Sequence, residues 1–509
     1  MGVADPGRRN ALRGIMLRIR RSAGTAFAKN GRMRSTSRAM RRDARPTPLS
    51  PAPTLSGSGP GATLPRSRPG VARLLALALL APVAACGSKL EIRTHPSALL
   101  ASGLAVEWMD LLQFVVKQEA LPPTSASRLF AYAAIALYEG CITGDGSYRS
   151  LGGQLNALGA LPAPPPDPHD AAAVANRAIA QLVRGIVVPM YLPTSTTTPF
   201  SNQAITSMEQ VWNARREQEV PADVWARSVA HGDALGAALV AWANADGFAA
   251  VNAAQGPYVP PTGPGLWIPT PTTFRRALQP MWGALRTFVL IDGDECAPPP
   301  PTPYSTDPSS AFHREAIEVH DATAGLTPVQ REIALHWSDD PGVTSTPPGH
   351  WVAIVGQLCV RDDLPLPVAA EAYARVGLAV GDAFISCWRA KYVHNVVRPV
   401  TYIQERIDLG WLPLLGTPPF PEYPSGHSTQ SGAVARVLTD LFGAVAFADW
   451  THAPRGLPVR FFLSFDQAAD EAAISRLYGG IHFRPAIEDG VEQGRCIGQR
   501  ILDRVSFRT

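Results

Sequence analysis

The chain has 509 residues, with 46 Lys and Arg against 42 Asp and Glu and a formal net charge of +4. The balance is uneven: residues 1–85 hold 16 basic and 2 acidic side chains, which leaves 30 basic and 40 acidic over residues 86–509, a net of −10. A body of that charge excludes a basic nucleic-acid-binding domain, which needs a positive surface for phosphate, and a hydrophobic share of 46% excludes disorder throughout.

Residues 1–70 are rich in Arg, Pro, Ser and Gly and cannot bury enough apolar surface to offset the entropy of ordering. They read as a disordered basic extension, or as sequence upstream of a true start near Met40 or Val71. Residues 71–85 form an apolar run of signal-peptide length, too short for a comfortable membrane span. Val83-Ala84-Ala85-Cys86 looks like a bacterial lipobox with Cys86 as the lipidated residue; the alternative is plain secretory cleavage near Ala85. Either way residues 86–509 are expected to be exported; the lipobox reading makes them a periplasmic or cell-envelope lipoprotein held to the membrane by its lipid anchor only. No second stretch of spanning length is expected. Of the remaining cysteines, Cys141 and Cys296 border loops and form a candidate pair, while Cys359, Cys387 and Cys496 read as buried thiols.

The body reads as all-α, a single-domain helical bundle with its catalytic part at 385–505. Apolar residues recur at helical spacing over 103–119, 126–140, 170–187, 201–217 and 221–246, more weakly over 309–322 and 327–338, then over 349–360, 367–397, 426–446, 466–478 and 485–503. Proline-rich connections fall at 161–168, 192–200, 248–275, 297–308 and 411–424.

Three late segments carry chemistry. In the first, Lys391 and Arg398 are spaced to share one face if the helix runs on, with Trp388 joining them, and Pro399 stops the helix near Arg398. A solvated basic helix end would explain this segment alone. In the second, Pro424-Ser425-Gly426-His427 precedes an apolar helical run. Ser425 sits at a helix start, where free N–H groups and the helix dipole favour an oxyanion, and Gly426 admits close backbone approach. Simple N-capping would explain Ser425 but leaves His427, a proton carrier near neutral pH, without a role. In the third, Ser475-Arg476 and His482 bracket a Gly479-Gly480 helix end.

Together the three segments resemble the signature of the vanadium-dependent haloperoxidase and type 2 phosphatidic acid phosphatase (PAP2) superfamily: K-x6-R-P, then P-S-G-H, then S-R-x5-H. Lys391, Arg398 and Pro399 fill the first block, Pro424 to His427 the second, and Ser475, Arg476 and His482 the third. Ala334-Leu335-His336-Trp337-Ser338 and Pro348-Gly349-His350-Trp351 resemble its bacterial haloperoxidase-like branch. The resemblance implies a helical bundle holding vanadate, with phosphate as a competing or alternative oxyanion. Lys391, Arg398 and Arg476 would neutralise it, Ser425 and the Gly426 N–H would donate to it, His482 would bond vanadium or attack phosphorus, and His427 would be the acid–base residue. Lys391 would also polarise the reacting oxygen.

Two activities share such a cradle. One oxidises halide with hydrogen peroxide to a hypohalous acid equivalent. The other hydrolyses a small phosphate ester through a phosphohistidine at His482, as an exported acid phosphatase. Trp388 and Phe420 resemble an aromatic wall on the halide side, which favours the haloperoxidase reading; ordinary packing would also explain them. A lipid-anchored scaffold without turnover is a third reading, against which the intact set of cradle residues argues. The oligomeric state stays open, a homodimer included. His313 and His320 share a helical face, but a packed or solvated face explains them better than a metal. Asp339-Asp340 ahead of Pro341-Gly342 reads as a turn, and Trp267, Trp282 and Trp337 as core.

Overall fold

The computed structural model describes residues 100–187, 198–254, 256 and 258–509. The basic extension, the apolar run 71–85 and Cys86 lie outside the described residues, and the described residues cluster as one compact unit.

Helices α1 (Gly103–Gln118), α2 (Pro123–Cys141), α3 (Ala171–Val187), α4 (Thr198–Glu219), α5 (Ala222–Asn244) and α6 (Phe248–Ala254) make up the first half. The second half holds α7 (Ala311–Ala324), α8 (Pro328–His336), α9 (Thr346–Arg361), α10 (Leu366–His394), α11 (Pro399–Arg406), α12 (Gly426–Phe442), α13 (Phe465–Tyr478) and α14 (Arg484–Arg504). Two short antiparallel strands, β1 (Phe447–Asp449) and β2 (Arg460–Phe462), pair Phe447 with Phe462 and Asp449 with Arg460. The starts are written locally: proline occupies the first turn of α2, α8, α9, α10, α11 and α14, where its missing N–H costs nothing. Thr327 and Gln330 close a capping box on α8.

The axis of the fold is α10, whose side chains from Leu366 to Trp388 are buried throughout. It packs chiefly against α2 and α12, and α12 in turn lies on α14. The α12–α14 approach depends on glycine, because a Cβ on Gly494 would collide with the Thr429 carbonyl. One apolar cluster spans α1, α2, α3, α9, α10 and α12; a second, with Phe312, Tyr402, Phe483 and Ile487, backs the late segments.

Three expectations are corrected. The helix read over 367–397 ends at His394, because Asn395 adopts a left-handed conformation (φ 54°) and the chain then runs extended, pairing Val396 with Leu266. Arg398 therefore does not share a helical face with Lys391; it caps the start of α11. The disulfide joins Cys296 to Cys496, not Cys141 to Cys296: α14 brings Cys496 beside the loop whose Glu295 pairs with Arg500 and Arg504, while Cys141 is a buried free thiol. Finally, Ala222–Ala254 is long and apolar enough to pass as a membrane span by length and composition. Here it is two helices, α5 and α6, and α5 buries Ser228, His231, Leu235, Leu239 and Trp242 while packing on α3.

Candidate active site

Four stretches converge at one end of α10. The last turns of α10 supply Trp388 and Lys391, and the extended exit from α10 supplies Arg398. The connection 418–425 then carries Phe420 and Glu422 into Ser425, the N-cap of α12. The end of α13 supplies Arg476, and the turn before α14 supplies His482. The Ser425 hydroxyl accepts from the Ser428 N–H, so it caps α12 and keeps its own hydrogen free to donate. Gly426 occupies the first helical position, and a Cβ there would stand 3.4 Å from the Trp388 ring.

His482 is fixed in one tautomer. Its Nδ1 lies 2.8 Å from Glu422 Oε1, which also accepts the Phe483 N–H at 2.9 Å. The hydrogen therefore sits on Nδ1, and Nε2 is left as an acceptor that takes a long hydrogen bond of 3.3 Å from Arg398 Nη1. Arg398 is spread over the same corner: its Nε donates to the Phe420 carbonyl at 2.8 Å and Nη1 to the Ile481 carbonyl at 2.7 Å. Its Nη2 is buried without a partner. Arg476 donates from Nε to Ser475 Oγ at 2.9 Å and from Nη2 to the Trp337 carbonyl at 2.8 Å. Lys391 differs from the expectation of an ammonium free to reach a ligand. Its three hydrogens go to the carbonyls of Pro421 (3.0 Å), Glu422 (2.9 Å) and Pro424, so it contributes charge and ties the connection to α10.

The electrostatics follow from burial of like charges. Burial lowers Lys391 to about 7 and both Arg398 and Arg476 to about 10. Burial raises Glu422 to about 7 against the opposing pull of Arg398 and Lys391. Burial, then Arg398 and Lys391, holds His482 well below the usual imidazole range; burial, then Arg476, does the same to His427. Both histidines are neutral at neutral pH. The Trp337 backbone is the hydrogen-bond partner of His427, whose Nε2 is left with none.

Gly426, His427, Arg476 and His482 open onto a cavity of about 220 Å³. Trp388, Phe420, Phe384, Leu278 and Leu415 form its apolar side, with Trp388 and Phe420 at a centroid distance of 4.8 Å. Lys391 Nζ and the Arg398 guanidinium stand 5.1 and 4.9 Å from the Phe420 ring centroid, within cation–π range. His313 and His320 are remote from this arrangement in their contacts: His313 Nδ1 lies 3.2 Å from the Tyr402 hydroxyl and His320 Nδ1 2.8 Å from Asp321.

Two side chains escaped the sequence reading. Glu422 sits inside the second segment, and the signal was there: a lone acid two residues before a Pro-Ser-Gly-His in a stretch otherwise without charge. Asp339, read as a turn residue, is buried at the cavity wall between His350 and His452. Only its neighbours in space, 11 and 113 residues away in sequence, reveal it.

Residues 371–409 and 407–508 match the family model described as the VCPO second helical-bundle domain. A solved structure, the first bacterial vanadium-dependent iodoperoxidase, is 35% identical, superposes with a TM-score of 0.73, and is covered over 98% of its length by 81% of this chain. The chain belongs to the vanadium haloperoxidase and PAP2 superfamily. Curated relatives agree over shorter spans. Vanadium chloroperoxidase of Curvularia inaequalis is 28% identical over 198 residues, 32% of each chain. The vanadium-dependent bromoperoxidase of Ascophyllum nodosum is 36% identical over 102 residues, 18% of each chain. The chain thus spans about a third or less of these two relatives. A bacterial vanadium-dependent chloroperoxidase at 15% identity and a TM-score of 0.55, over 81% of this chain and 94% of its own, shares the fold.

Vanadium haloperoxidases imply a vanadate cofactor, and the residues present fit one. Three buried cations, Lys391, Arg398 and Arg476, stand against two buried carboxylates, Glu422 and, beside Arg476, Asp339. Arg398 Nη2 is a buried donor lacking an acceptor and His482 Nε2 an acceptor nitrogen held only by the 3.3 Å contact from Arg398 Nη1, the two kinds of group an oxyanion with an open coordination position satisfies.

Proposed function

We propose that this protein is a vanadate-dependent haloperoxidase that oxidises halide with hydrogen peroxide at an oxyanion held on His482 Nε2. The observation that carries the reading is the Glu422–His482 pair beside Arg398: a carboxylate fixes the ring with Nε2 as its acceptor nitrogen, and the Arg398 beside it keeps Nη2 buried without an acceptor. Arg398 and Arg476 would donate to the oxyanion, with Ser425 Oγ and the Gly426 N–H at the helix start as further donors. Lys391 would hold charge on it from behind. Bound vanadate would supply a Lewis acid that activates peroxide without itself changing oxidation state.

The chain's own residues do the rest. His427, neutral and with Nε2 unpartnered at the cavity, accepts a proton from an incoming hydroperoxide or returns one to a leaving oxygen. The Trp388–Phe420 wall excludes water from one side of the site and gives a polarisable halide an apolar approach. The same reading keeps Cys86 as the lipid-bearing end of an exported body.

The test is a paired assay on residues 87–509. Vanadate-loaded protein receives peroxide, bromide or iodide, and a halogen-trapping dye; the same preparation without vanadate receives a chromogenic phosphate ester. Halogenation that needs vanadate and is suppressed by phosphate supports the proposal. Ester hydrolysis inhibited by vanadate, with no halide oxidation, makes the site a phosphatase. Absence of both, with no vanadate binding, leaves a scaffold.

A further inference from the structure

Outside the cradle, five ionisable side chains form one buried chain. His336 Nε2 lies 2.8 Å from Asp449 Oδ2, which lies 2.7 Å from His350 Nε2. His350 Nδ1 lies 2.9 Å from Asp339 Oδ2, and Asp339 Oδ1 stands 3.0 Å from His452 Nε2. None of the five is more than 3% exposed. They come from the end of α8, the loop after it, α9, β1 and the turn after β1, so the fold has gathered them from 113 residues apart.

Histidine and carboxylate in such a cluster are either a metal site or a hydrogen-bonded ion network. The ligand atoms fall into two sets of three, His336–His350–Asp449 and Asp339–His350–His452. His350 faces Asp449 with Nε2 and Asp339 with Nδ1, so the sets lie on opposite edges of one ring and do not make one coordination shell. Both of those contacts meet hydrogen-bond geometry and need a proton in each. An ionised carboxylate only accepts, so both ring nitrogens of His350 must donate. Asp449 is held ionised by further donors, the Thr451 N–H at 2.9 Å and the Thr451 hydroxyl at 2.6 Å. The Trp337 indole stacks on the His350 ring at 4.5 Å and 23°, a good seat for a cation.

We propose that His350 is a positioning residue of the oxyanion site: an imidazolium clamped between Asp339 and Asp449 that fixes the segment Trp337–Asp339 beneath Arg476 and His427. This rests on the functional reading above. The link is short. The Trp337 carbonyl accepts from Arg476 and its backbone is the partner of His427, while Asp339 is the anion that acts most strongly on Arg476. The groups facing His350 are Asp339, Asp449, His336 and His452, with Arg476 beyond Asp339. Burial opposes the charge on His350, and the two carboxylates more than offset it, raising the ring to about 10. Without that charge Asp339 is a buried carboxylate left to His452 and Arg476, and the guanidinium is drawn from the oxyanion toward it.

The first measurement uses wild-type protein with 15N-labelled histidine. Both ring nitrogens of His350 are expected to stay protonated across neutral pH; a neutral single tautomer overturns the proposal. The second compares His350→Gln with Asp449→Asn, which breaks the same chain but leaves the His350–Asp339 pair. Vanadate affinity of dialysed protein, read by calorimetry, should fall about tenfold or more in His350→Gln, as loss of an outer partner typically does. The pH profile of halide oxidation should shift in that variant. Asp449→Asn, which takes away one of the two carboxylates that hold the charge, should lose less than His350→Gln and shift the profile in the same direction. Equal losses in both variants reduce His350 to packing and overturn the proposal, as does one equivalent of transition metal retained by wild type and lost in His350→Gln. Should His350→Gln not fold, the nitrogen spectrum of wild type decides alone. Failure of wild type to bind vanadate sinks the functional reading and this proposal together; failure of the His350 variants alone leaves the functional reading standing.

Discussion

Arg398→Lys is the substitution that separates charge from geometry in the cradle. Arginine spans the Phe420 carbonyl with Nε and the Ile481 carbonyl with Nη1 and keeps Nη2 over for a ligand. Lysine brings the same charge on one nitrogen. It cannot reach two carbonyls and an oxyanion together, so one charge-assisted hydrogen bond of about 1.5–3 kcal/mol is lost from the ligand. That corresponds to roughly 10- to 150-fold in vanadate affinity. Arg398→Gln also removes the charge, which at about 4 Å and an effective dielectric near 20 adds about 4 kcal/mol and carries binding out of measurable range. Calorimetric titration of dialysed protein with vanadate, and in parallel with phosphate, reads all three proteins. A melt without oxyanion checks that the fold survives. The reasoning fails if Arg398→Lys binds within about threefold of wild type, since Nη2 then does not reach the ligand. It fails equally if the lysine and glutamine variants are indistinguishable, since charge then plays no part.

His482→Ala is expected to abolish vanadate binding, whereas His427→Ala should keep most binding and lose about 100-fold or more in turnover; equal loss of binding in both would end that division of roles. Glu422 has a signed effect on stability. Its folded pKa, raised by burial to about 7, exceeds the ordinary 4.5, so the folded protein holds the proton more tightly and stability falls as pH rises between the two values. Melting temperatures of Glu422→Gln without oxyanion should therefore decline less than those of wild type over that window; parallel curves would contradict it. Reduction of Cys296–Cys496, which closes a loop of 200 residues, should cost on the order of 5 kcal/mol by loop entropy. That is about 6 °C in melting temperature for a body of this size. An unchanged melt with and without reductant would show that Glu295 with Arg500 and Arg504 holds the seam alone.

The fold class was legible because helical periodicity is local, and so were most of the helix starts, since a proline or a capping serine or threonine writes them into two or three residues. The ends were less so. The stop of α10 lies in one left-handed residue, Asn395, and apolar Val396 and Val397 continue the helical pattern past it. The cradle was legible as types and spacings, because an oxyanion needs cations, a helix start and a bare imidazole nitrogen. Which atom faces which was not. That Lys391 spends its hydrogens on carbonyls, and that Glu422 sets the His482 tautomer, depends on a connection whose path is fixed by tertiary packing. The disulfide was misread for the same reason: Cys296 and Cys496 are brought together only by α14 crossing a distant loop.

The rivet between α10 and the 421–424 carbonyls has a practical side. A socket whose walls are already pinned loses little on accepting a guest and discriminates weakly between guests of equal shape and charge. Phosphate is abundant in growth media and lysates and vanadate is scarce, so freshly purified protein should arrive with its socket filled by the wrong tetrahedron. Specific activity then becomes a record of handling: it rises with dialysis against phosphate-free buffer before vanadate is added, and two preparations of identical sequence differ until their phosphate histories are made the same.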